Sequence, residues 1–291
     1  MSQSGNTYET VQISYKGGFG AGFLYKTLPG RILLRCLVKT PVSKVAGMVM
    51  DSPASRVFVR GFVKRNKINL DEYQKDKFRS FNDFFVREIK TENRFFPDNE
   101  HSLTAPCDGK LSAYPITSDG VFKIKNSIYS IEDLLQDKSL AHEFIGGLCL
   151  IFRLTPDDYH RYAYIDDGES ICRRSIKGVL HTVRPIAQHR YKVFIRNTRE
   201  YEVLQTAHFG KVIQMEVGAM FVGRITNHNN GCTFKRGDEK GMFKFGGSTI
   251  VMLFEKNVVT LDSNIISNTH NNKETIIKMG CEIGEALASG R

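Results

Sequence analysis

Residues 243–254 read FKFGGSTIVMLF, a strand-like apolar run that a Gly-Gly-Ser-Thr step interrupts at positions 246–249. Glycine inside a strand usually marks a bulge, a bend or a close backbone approach. Strained backbone persists mainly where the surrounding structure enforces it, and a serine held in such a turn can direct its hydroxyl at the preceding carbonyl. Taken alone, a motif this short more often marks a β-bulge than a reactive site.

The chain from Leu103 onward predicts the fold class. Short runs of β-branched and aromatic residues alternate there with Gly, Asp and Asn turns, which indicates a largely antiparallel β sandwich or barrel. With short N-terminal helices, the predicted class is α+β. The predicted strands cover residues 109–116, 120–124, 148–154, 175–183, 193–195, 201–209, 211–217, 220–225 and 249–254, and a helix is predicted over 130–136.

The N-terminal quarter is basic and amphipathic. Residues 1–70 hold eleven Lys and Arg against two acidic residues, in a chain with a net charge of +10. Helices are predicted over 31–39 and after Ser52-Pro53, where proline suits the first helical position. A basic stripe beside apolar residues is typical of a helix in the headgroup region of an anionic membrane. It also fits a solvated face on a helix packed against a larger domain.

Composition disfavours several other classes. No run of about eighteen apolar residues is present, so no membrane-spanning helix is predicted. The basic segment has no nucleic-acid-binding motif and no interleaved aromatics, so a nucleic-acid partner is not expected. The six cysteines form no CxxC pair and no signal-peptide pattern precedes them, which predicts reduced thiols in a cytosolic setting. No histidine cluster suits a metal site.

A polar, charged stretch at residues 71–79 is predicted to be a linker. Ser80-Phe81-Asn82-Asp83 follows and resembles a capping box that opens a short helix. The sequence therefore predicts a membrane-associating helical region over 1–79 and a catalytic domain over 80–291.

Five motifs occur in order between about residues 80 and 255. They are Phe84-Phe85-Val86-Arg87, Ala105-Pro106-Cys107-Asp108-Gly109, Asp158-Tyr159-His160-Arg161, Val217-Gly218-Ala219-Met220-Phe221-Val222-Gly223 and Gly246-Gly247-Ser248-Thr249. Together they resemble the phosphatidylserine decarboxylases, pyruvoyl enzymes that convert phosphatidylserine into phosphatidylethanolamine. The resemblance implies that function here.

The resemblance also implies self-cleavage between Gly247 and Ser248, by an N-to-O acyl shift and β-elimination, into chains 1–247 and 248–291 that stay together. Ser248 would become the pyruvoyl cofactor, whose ketone forms a Schiff base with the substrate amine and acts as an electron sink. Phosphatidylserine and an anionic membrane surface are the implied partners, and a homo-oligomer is left open. The expected location is the cytoplasmic face of a bacterial-type cell membrane, as a peripheral protein.

The motifs assign roles to three residues. By resemblance, Asp108 orients the base, His160 is that base and the later proton donor, and Ser248 is the nucleophile. From the residues alone, Asp108 is a turn aspartate before a strand and His160 a loop histidine. The commonest family pattern has a second histidine where this chain has Ala163. Either His160 serves both self-cleavage and decarboxylation, which we favour, or His181 replaces the missing histidine.

The sequence leaves two alternative functions open. One is a pyruvoyl decarboxylase of a soluble amino acid, which the basic, apolar N-terminal quarter disfavours. The other is a non-catalytic lipid-surface homologue, suggested by Ala163. Lys240 and Lys244, which lead into the cleavage turn, are expected to face solvent.

Overall fold

The computed structural model describes residues 8–15, 19–125, 127–188, 191–220, 225–228, 231–244 and 248–287. The strands in this part of the chain are β1 Thr10–Gln12, β2 Ser102–Thr104, β3 Gly109–Pro115, β4 Val121–Ile124, β5 Ser127–Ser130, β6 Leu148–Arg153, β7 Arg161–Ala163, β8 Gly168–Ile176, β9 Arg199–Thr206, β10 Lys211–Val217, β11 Ile225–Asn227, β12 Thr233–Phe234, β13 Glu239–Phe243, β14 Thr249–Phe254, β15 Val259–Leu261, β16 Lys273–Ile277 and β17 Glu282–Ala286.

Helices precede and connect these strands. They are α1 Phe19–Lys26, α2 Leu28–Leu37, α3 Thr40–Asp51, α4 Val57–Asn66, α5 Phe81–Phe85, α6 Ile131–Leu135, α7 Lys138–Glu143, α8 Pro185–Gln188, α9 Val193–Arg196 and α10 Ser263–His270, with short 3₁₀ turns at Pro53–Arg56, Leu70–Glu72 and Thr91–Asn93. In the described ranges, no helix is both long and apolar enough to cross a membrane.

A nine-stranded antiparallel sheet in the order β1-β16-β3-β6-β14-β10-β9-β8-β12 forms the centre of the fold. Its central strand, β14, is buried on both faces. Ile250 and Met252 pack into one core cluster with Phe152 and Phe243, whereas Val251 and Leu253 join the cluster on the opposite face. This alternation is the two-residue period of a strand. A small sheet, β11-β13-β7, contributes Tyr162 and Phe243 to the first face.

The predicted α+β class with an antiparallel β domain is confirmed, while some predicted elements are displaced. Residues predicted as a strand over 193–195 form the helix α9, because a short apolar run does not distinguish a buried strand from a buried helical turn. Of the strand predicted over 175–183, only the first two residues belong to a strand, the end of β8 at Ile176. The strand predicted over 220–225 falls mostly on residues outside the described ranges.

Both predicted N-terminal helices form, with different starts: α2 begins three residues earlier than predicted, whereas α4 begins at Val57 after the 3₁₀ turn at Pro53–Arg56. Helix α2 begins at Leu28 because the Thr27 hydroxyl caps it, accepting a hydrogen bond from the Gly30 amide at 3.1 Å. Gly30 lies inside this helix, where α1 crosses it closely. A Cβ at Gly30 would lie 2.0 Å from the carbonyl oxygen of Phe23.

Helices α3 and α4 pack on α5 through an aromatic cluster. The ring of Phe62 in α4 lies edge-on to Phe81 and Phe84, with centroids 5.2 and 5.8 Å away. Ser80 caps α5 as predicted, accepting from the Asp83 amide at 3.1 Å. The stretch predicted as a linker contributes to this packing, since Phe78 is buried and stacks edge-on against Phe84. The boundary at residue 79 stays a prediction.

Helix α1 docks on the large domain through Tyr25. The Thr182 amide donates to the Tyr25 hydroxyl at 3.1 Å, and that hydroxyl is hydrogen-bonded to Nδ1 of His181 at 3.3 Å. The His181 ring stacks on Tyr191 with centroids 4.3 Å apart. Burial, and then the charge of Arg196, lower the pKa of His181 from 6.5 to about 4. His181 is therefore neutral at neutral pH.

This contact predicts a pH dependence of stability. Between pH 6.5 and about 4 the unfolded chain binds a proton at residue 181 that the folded chain does not, so stability falls as the pH falls through this window. We expect the Ser248→Ala chain, chosen because the predicted cleavage needs that hydroxyl, to lose about 2 kcal/mol more than Ser248→Ala/His181→Gln between pH 7 and pH 5. Urea unfolding at the two pH values measures this. Equal losses in the two chains would show that His181 titrates normally.

Candidate active site

Ser248 lies at the end of the central strand. Its carbonyl accepts from the Leu154 amide at 2.9 Å on one side, and the register that pairs Val217 with Thr249 places Gly218 opposite it on the other. The Ser248 side chain is fully buried, and among the described residues no group hydrogen-bonds its Oγ. Gly247, on the other side of the predicted scissile bond, lies outside the described residues, as does the end of the 217–223 motif.

A buried hydroxyl without a partner costs free energy, so each instance requires an explanation. The next residue has the same property: among the described residues, Oγ1 of Thr249 is also buried without a hydrogen-bond partner. Strand alternation directs the two side chains to opposite faces of the sheet. Ser248 shares the face of Ile250, which the small sheet covers. An orphaned buried nucleophile at this point fits a serine that is consumed in making a pyruvoyl group.

Asp108 lies at the same end of the sheet. The strand register shows this. One row of paired residues across β3, β6 and β14 consists of Lys110, Arg153 and Thr249. The next row toward the end of the sheet therefore contains Gly109, Leu154 and Ser248. Two strand spacings separate Gly109 from Ser248, which is about 10 Å between Cα atoms. Asp108 directly precedes this row.

The Asp108 carboxylate is buried and fully paired. Its Oδ1 accepts from Arg94 Nε and from the Met279 amide, both at 2.9 Å, and Oδ2 accepts from Arg94 at 2.7 Å and Lys278 at 3.0 Å. Burial alone would raise the pKa of Asp108, but the bonds and charges of Arg94 and Lys278 outweigh burial and lower it. Within the described ranges, none of its hydrogen bonds or ion pairs goes to His160. The orienting contact that the resemblance implied is not formed in the uncleaved chain.

His160 is held from three sides. Its ring is fully buried, with its centroid 4.0 Å from that of Phe85, and its carbonyl accepts from the Phe243 amide at 2.9 Å. Nδ1 lies 2.8 Å from the carbonyl oxygen of Asp158. A carbonyl can only accept, so Nδ1 carries the proton and the basic nitrogen of the neutral ring is Nε2. The backbone carbonyl of Asp158 therefore orients this ring, which is the role expected of Asp108.

The loop that carries His160 is fixed by the remaining part of its motif. The Asp158 carboxylate accepts from the Thr155 amide at 2.6 Å and from Lys110 Nζ at 2.7 Å. Lys110 lies on β3, two residues after Asp108. The aspartates of both motifs thus anchor loops at one end of the sheet.

His181 points elsewhere. Its ring is committed to Tyr25 and Tyr191, on the side of the domain where α1 and α2 dock. Its backbone is nearer to the site, because the Asn197 side-chain amide donates to the carbonyls of both His181 and Gly218 at 2.8 Å. The structure therefore brings Asp108, His160 and Ser248 to one end of the sheet and leaves the His181 ring in a separate cleft.

Ala163 borders a cavity of about 400 Å³. Its amide donates to the Pro106 carbonyl at 2.9 Å, which ties β7 to the loop before Asp108. Arg94, Tyr159 and Met279 also line this cavity, so the alanine faces the partners of Asp108.

Sequence reasoning missed a buried ion cluster beside the site. Lys240, expected to face solvent, is fully buried, and its Nζ lies 2.7 Å from Glu216 and 3.3 Å from Glu202. That expectation was wrong because carboxylates on β9 and β10 compensate the lysine charge inside the protein. Burial raises the pKa of Glu216, and Lys240 opposes the rise. Glu216, an acidic residue within the apolar run of β10, was the sequence signal that could have indicated this cluster. Lys244 is partly buried.

Comparisons with known proteins give the family of the chain. The profile of the phosphatidylserine decarboxylase family matches residues 81–285. The chain is 48% identical to phosphatidylserine decarboxylase proenzyme 2 of Clostridium acetobutylicum, over 93% of each chain. It is 40% identical to the proenzyme of Ruminiclostridium cellulolyticum, over 96% of this chain and 95% of that one. The proenzyme of Fusobacterium nucleatum is 38% identical over 95% of both chains. The resemblance is confirmed, and this chain belongs to the phosphatidylserine decarboxylase family.

Proposed function

We propose that this chain is a proenzyme that cleaves itself between Gly247 and Ser248 and then decarboxylates phosphatidylserine to phosphatidylethanolamine and CO₂ on a membrane surface. The observation that carries the proposal is the buried, unpartnered Oγ of Ser248 at the end of the central strand. The relatives named as phosphatidylserine decarboxylase proenzymes support it. They also favour the lipid substrate over a soluble amino acid.

In the cleavage step, Ser248 Oγ attacks the carbonyl carbon of Gly247. His160 takes the hydroxyl proton at Nε2 and returns it to the amide nitrogen that leaves, as a general base and then a general acid. The resulting ester then undergoes β-elimination, which releases the Gly247 carboxylate and leaves a dehydroalanine, and water hydrolyses that residue to the pyruvoyl group and ammonia. The Asp158 carbonyl keeps the proton of the neutral ring on Nδ1, so that Nε2 is available as the base. Burial of both side chains excludes water that would compete with the hydroxyl.

Strand pairing holds the products together. The small chain 248–291 starts with β14, which keeps six paired positions with β6 and six with β10. It also supplies β16, which pairs with β1 and β3. Cleavage therefore cuts the connection before β14 without removing that strand from the sheet.

The pyruvoyl group made from Ser248 supplies a ketone that condenses with the substrate amine and takes up the electron pair left by CO₂. His160 is then the acid that protonates the α-carbon. Asp108 is a positioning residue. Its bonds to Arg94 and Lys278 fix the start of β3 beside Leu154, whose amide binds the Ser248 carbonyl.

The membrane partner is proposed from the outer face of the N-terminal helices. Ten of the sixteen exposed large apolar side chains in the described ranges lie between residues 19 and 58, among them Phe19, Leu28, Met48, Val57 and Phe58. Arg35, Lys39, Lys44, Arg56 and Arg60 are exposed among them. Apolar side chains with interspersed cations suit the headgroup region of an anionic leaflet. We propose a peripheral position on the cytoplasmic face of a bacterial-type cell membrane.

The assignment of the base predicts a difference between two histidine variants. His160→Ala is expected to remain a single chain, as is Ser248→Ala, because neither can complete the proton transfer at Oγ. His181→Gln is expected to be cleaved, because its ring is committed to Tyr25. Denaturing electrophoresis over time measures cleavage, and thermal unfolding checks that each variant is folded. Normal cleavage of His160→Ala with blocked cleavage of His181→Gln would make His181 the base.

The membrane face predicts a loss of vesicle binding on removal of its apolar side chains. Val57→Ser/Phe58→Ser should bind anionic vesicles at least about tenfold more weakly, since each buried side chain contributes about 1.5–3 kcal/mol. Ile171→Ser/Ile266→Ser removes two similarly exposed side chains from the large domain and serves as the matched control. Sedimentation with vesicles at low salt measures binding. Equal weakening in both variants would contradict the assigned face.

A further inference from the structure

A cleft of about 720 Å³ lies between α2 and the segment around residues 179–196, outside the site described above. Helix α2 supplies Leu28, Arg31, Ile32 and Arg35 to one wall, and His181, Tyr191 and Arg196 line the other. The helix end is fixed in place, because the Val38 carbonyl accepts from the Leu180 amide at 2.9 Å. The cleft is thus formed by the N-terminal helices and the large domain together.

Three arginines give this cleft a positive charge that no carboxylate in the described part of the chain pairs with. Arg31 and Arg35 are one helical turn apart on α2, and Arg196 faces them from the end of α9, over the ring of Tyr191. Arg31 Nε donates to the Thr27 carbonyl. Among the described residues, none of the three forms an ion pair with a carboxylate, whereas Arg94, Arg153 and Arg161 each do.

The second wall carries no further charge at His181. The Nδ1 of this neutral ring is hydrogen-bonded to the Tyr25 hydroxyl, and the ring lines the cleft. Of the three guanidinium groups, only that of Arg31 donates to a protein acceptor among the described residues, so the set keeps most of its N–H donors for a ligand. Arginine binds phosphate oxygens with paired, charge-assisted hydrogen bonds, so this set suits a phosphate group.

The position of the cleft indicates which phosphate it takes. Leu28 and Ile32 at its edge are 66% and 60% exposed and belong to the apolar face assigned to the membrane. On its inner side, Asn197 links the carbonyl of His181 to that of Gly218, which lies opposite Ser248. The cleft therefore opens beside the lipid-facing helices, and the buried Asn197 connects the backbone of its His181 wall to the strand position opposite Ser248.

We propose that this cleft binds the phosphodiester of a membrane phospholipid, with Arg31, Arg35 and Arg196 on the phosphate and with Leu28 and Ile32 against the apolar part of the same lipid. This inference rests on the proposed function in one respect, since the substrate proposed for Ser248 is such a lipid. The arginines bind and orient the headgroup and take no part in bond breaking.

A binding experiment on the uncleaved chain tests the cleft independently of catalysis. The probe is dihexanoyl phosphatidylserine below its micelle concentration, titrated by calorimetry into Ser248→Ala. We expect Arg31→Gln/Arg196→Gln in this background to bind at least about tenfold more weakly, the size of one charge-assisted hydrogen bond. Lys123→Gln/Lys256→Gln removes two exposed charges elsewhere and should bind like the parent. Equal weakening in both double variants would overturn the proposal.

A competition arm separates the lipid from free anions. Inorganic phosphate should displace the short-chain lipid only at concentrations far above those of the lipid itself, because it has no apolar part for Leu28 and Ile32. If phosphate competes at equal concentration, the cleft is a general anion site and the lipid assignment fails. No binding of dihexanoyl phosphatidylserine to the parent chain would also overturn it.

Kinetics on the processed enzyme give the second readout. With the monomeric lipid as substrate, Arg31→Gln/Arg196→Gln should raise KM at least about tenfold and leave kcat within about twofold. Cleavage of the proenzyme should be unchanged, which distinguishes this proposal from the processing mechanism. A fall in kcat with unchanged KM would show that the arginines act on the chemical step and not on headgroup binding.

Discussion

The register of β14 between β6 and β10 is the constraint on which the other features depend. Six paired positions on each side fix Thr249–Phe254 at the centre of the sheet, and the same register places Ser248 between Leu154 and Gly218. A slip of one residue would turn the Ser248 side chain to the opposite face of the sheet. The buried position of the hydroxyl and the nearness of the Asp108 loop follow from this pairing, as does the proposed retention of the small chain after cleavage.

The N-terminal helices have two different faces. Their inner sides pack on the large domain through Tyr25 and the aromatic cluster around Phe84, while their outer sides expose apolar and basic residues. The two sequence interpretations are therefore compatible, because the helices pack on the domain through one face and the other, exposed face is the one proposed to lie on lipid. The arginine cleft lies where these faces meet, at the edge of α2.

Local sequence predicted the strands that repeat a clear pattern, including β10 and β14, and the capped start of α5 at Ser80. It could not supply contacts between distant segments. Asp108 binds Lys278, which is 170 residues away, and no periodicity indicates such a pair. Lys240 looked like a solvent-facing residue because its compensating carboxylates lie on other strands. Motifs located Ser248 and His160, whereas the Asp158 carbonyl that orients His160 depends on the loop conformation.

Intact-mass spectrometry of the purified protein under denaturing conditions tests the central claim most directly. The account predicts two species, residues 1–247 and residues 248–291 with a pyruvoyl group in place of the N-terminal serine. A single full-length chain, in the presence and absence of anionic vesicles, would contradict self-processing at Ser248.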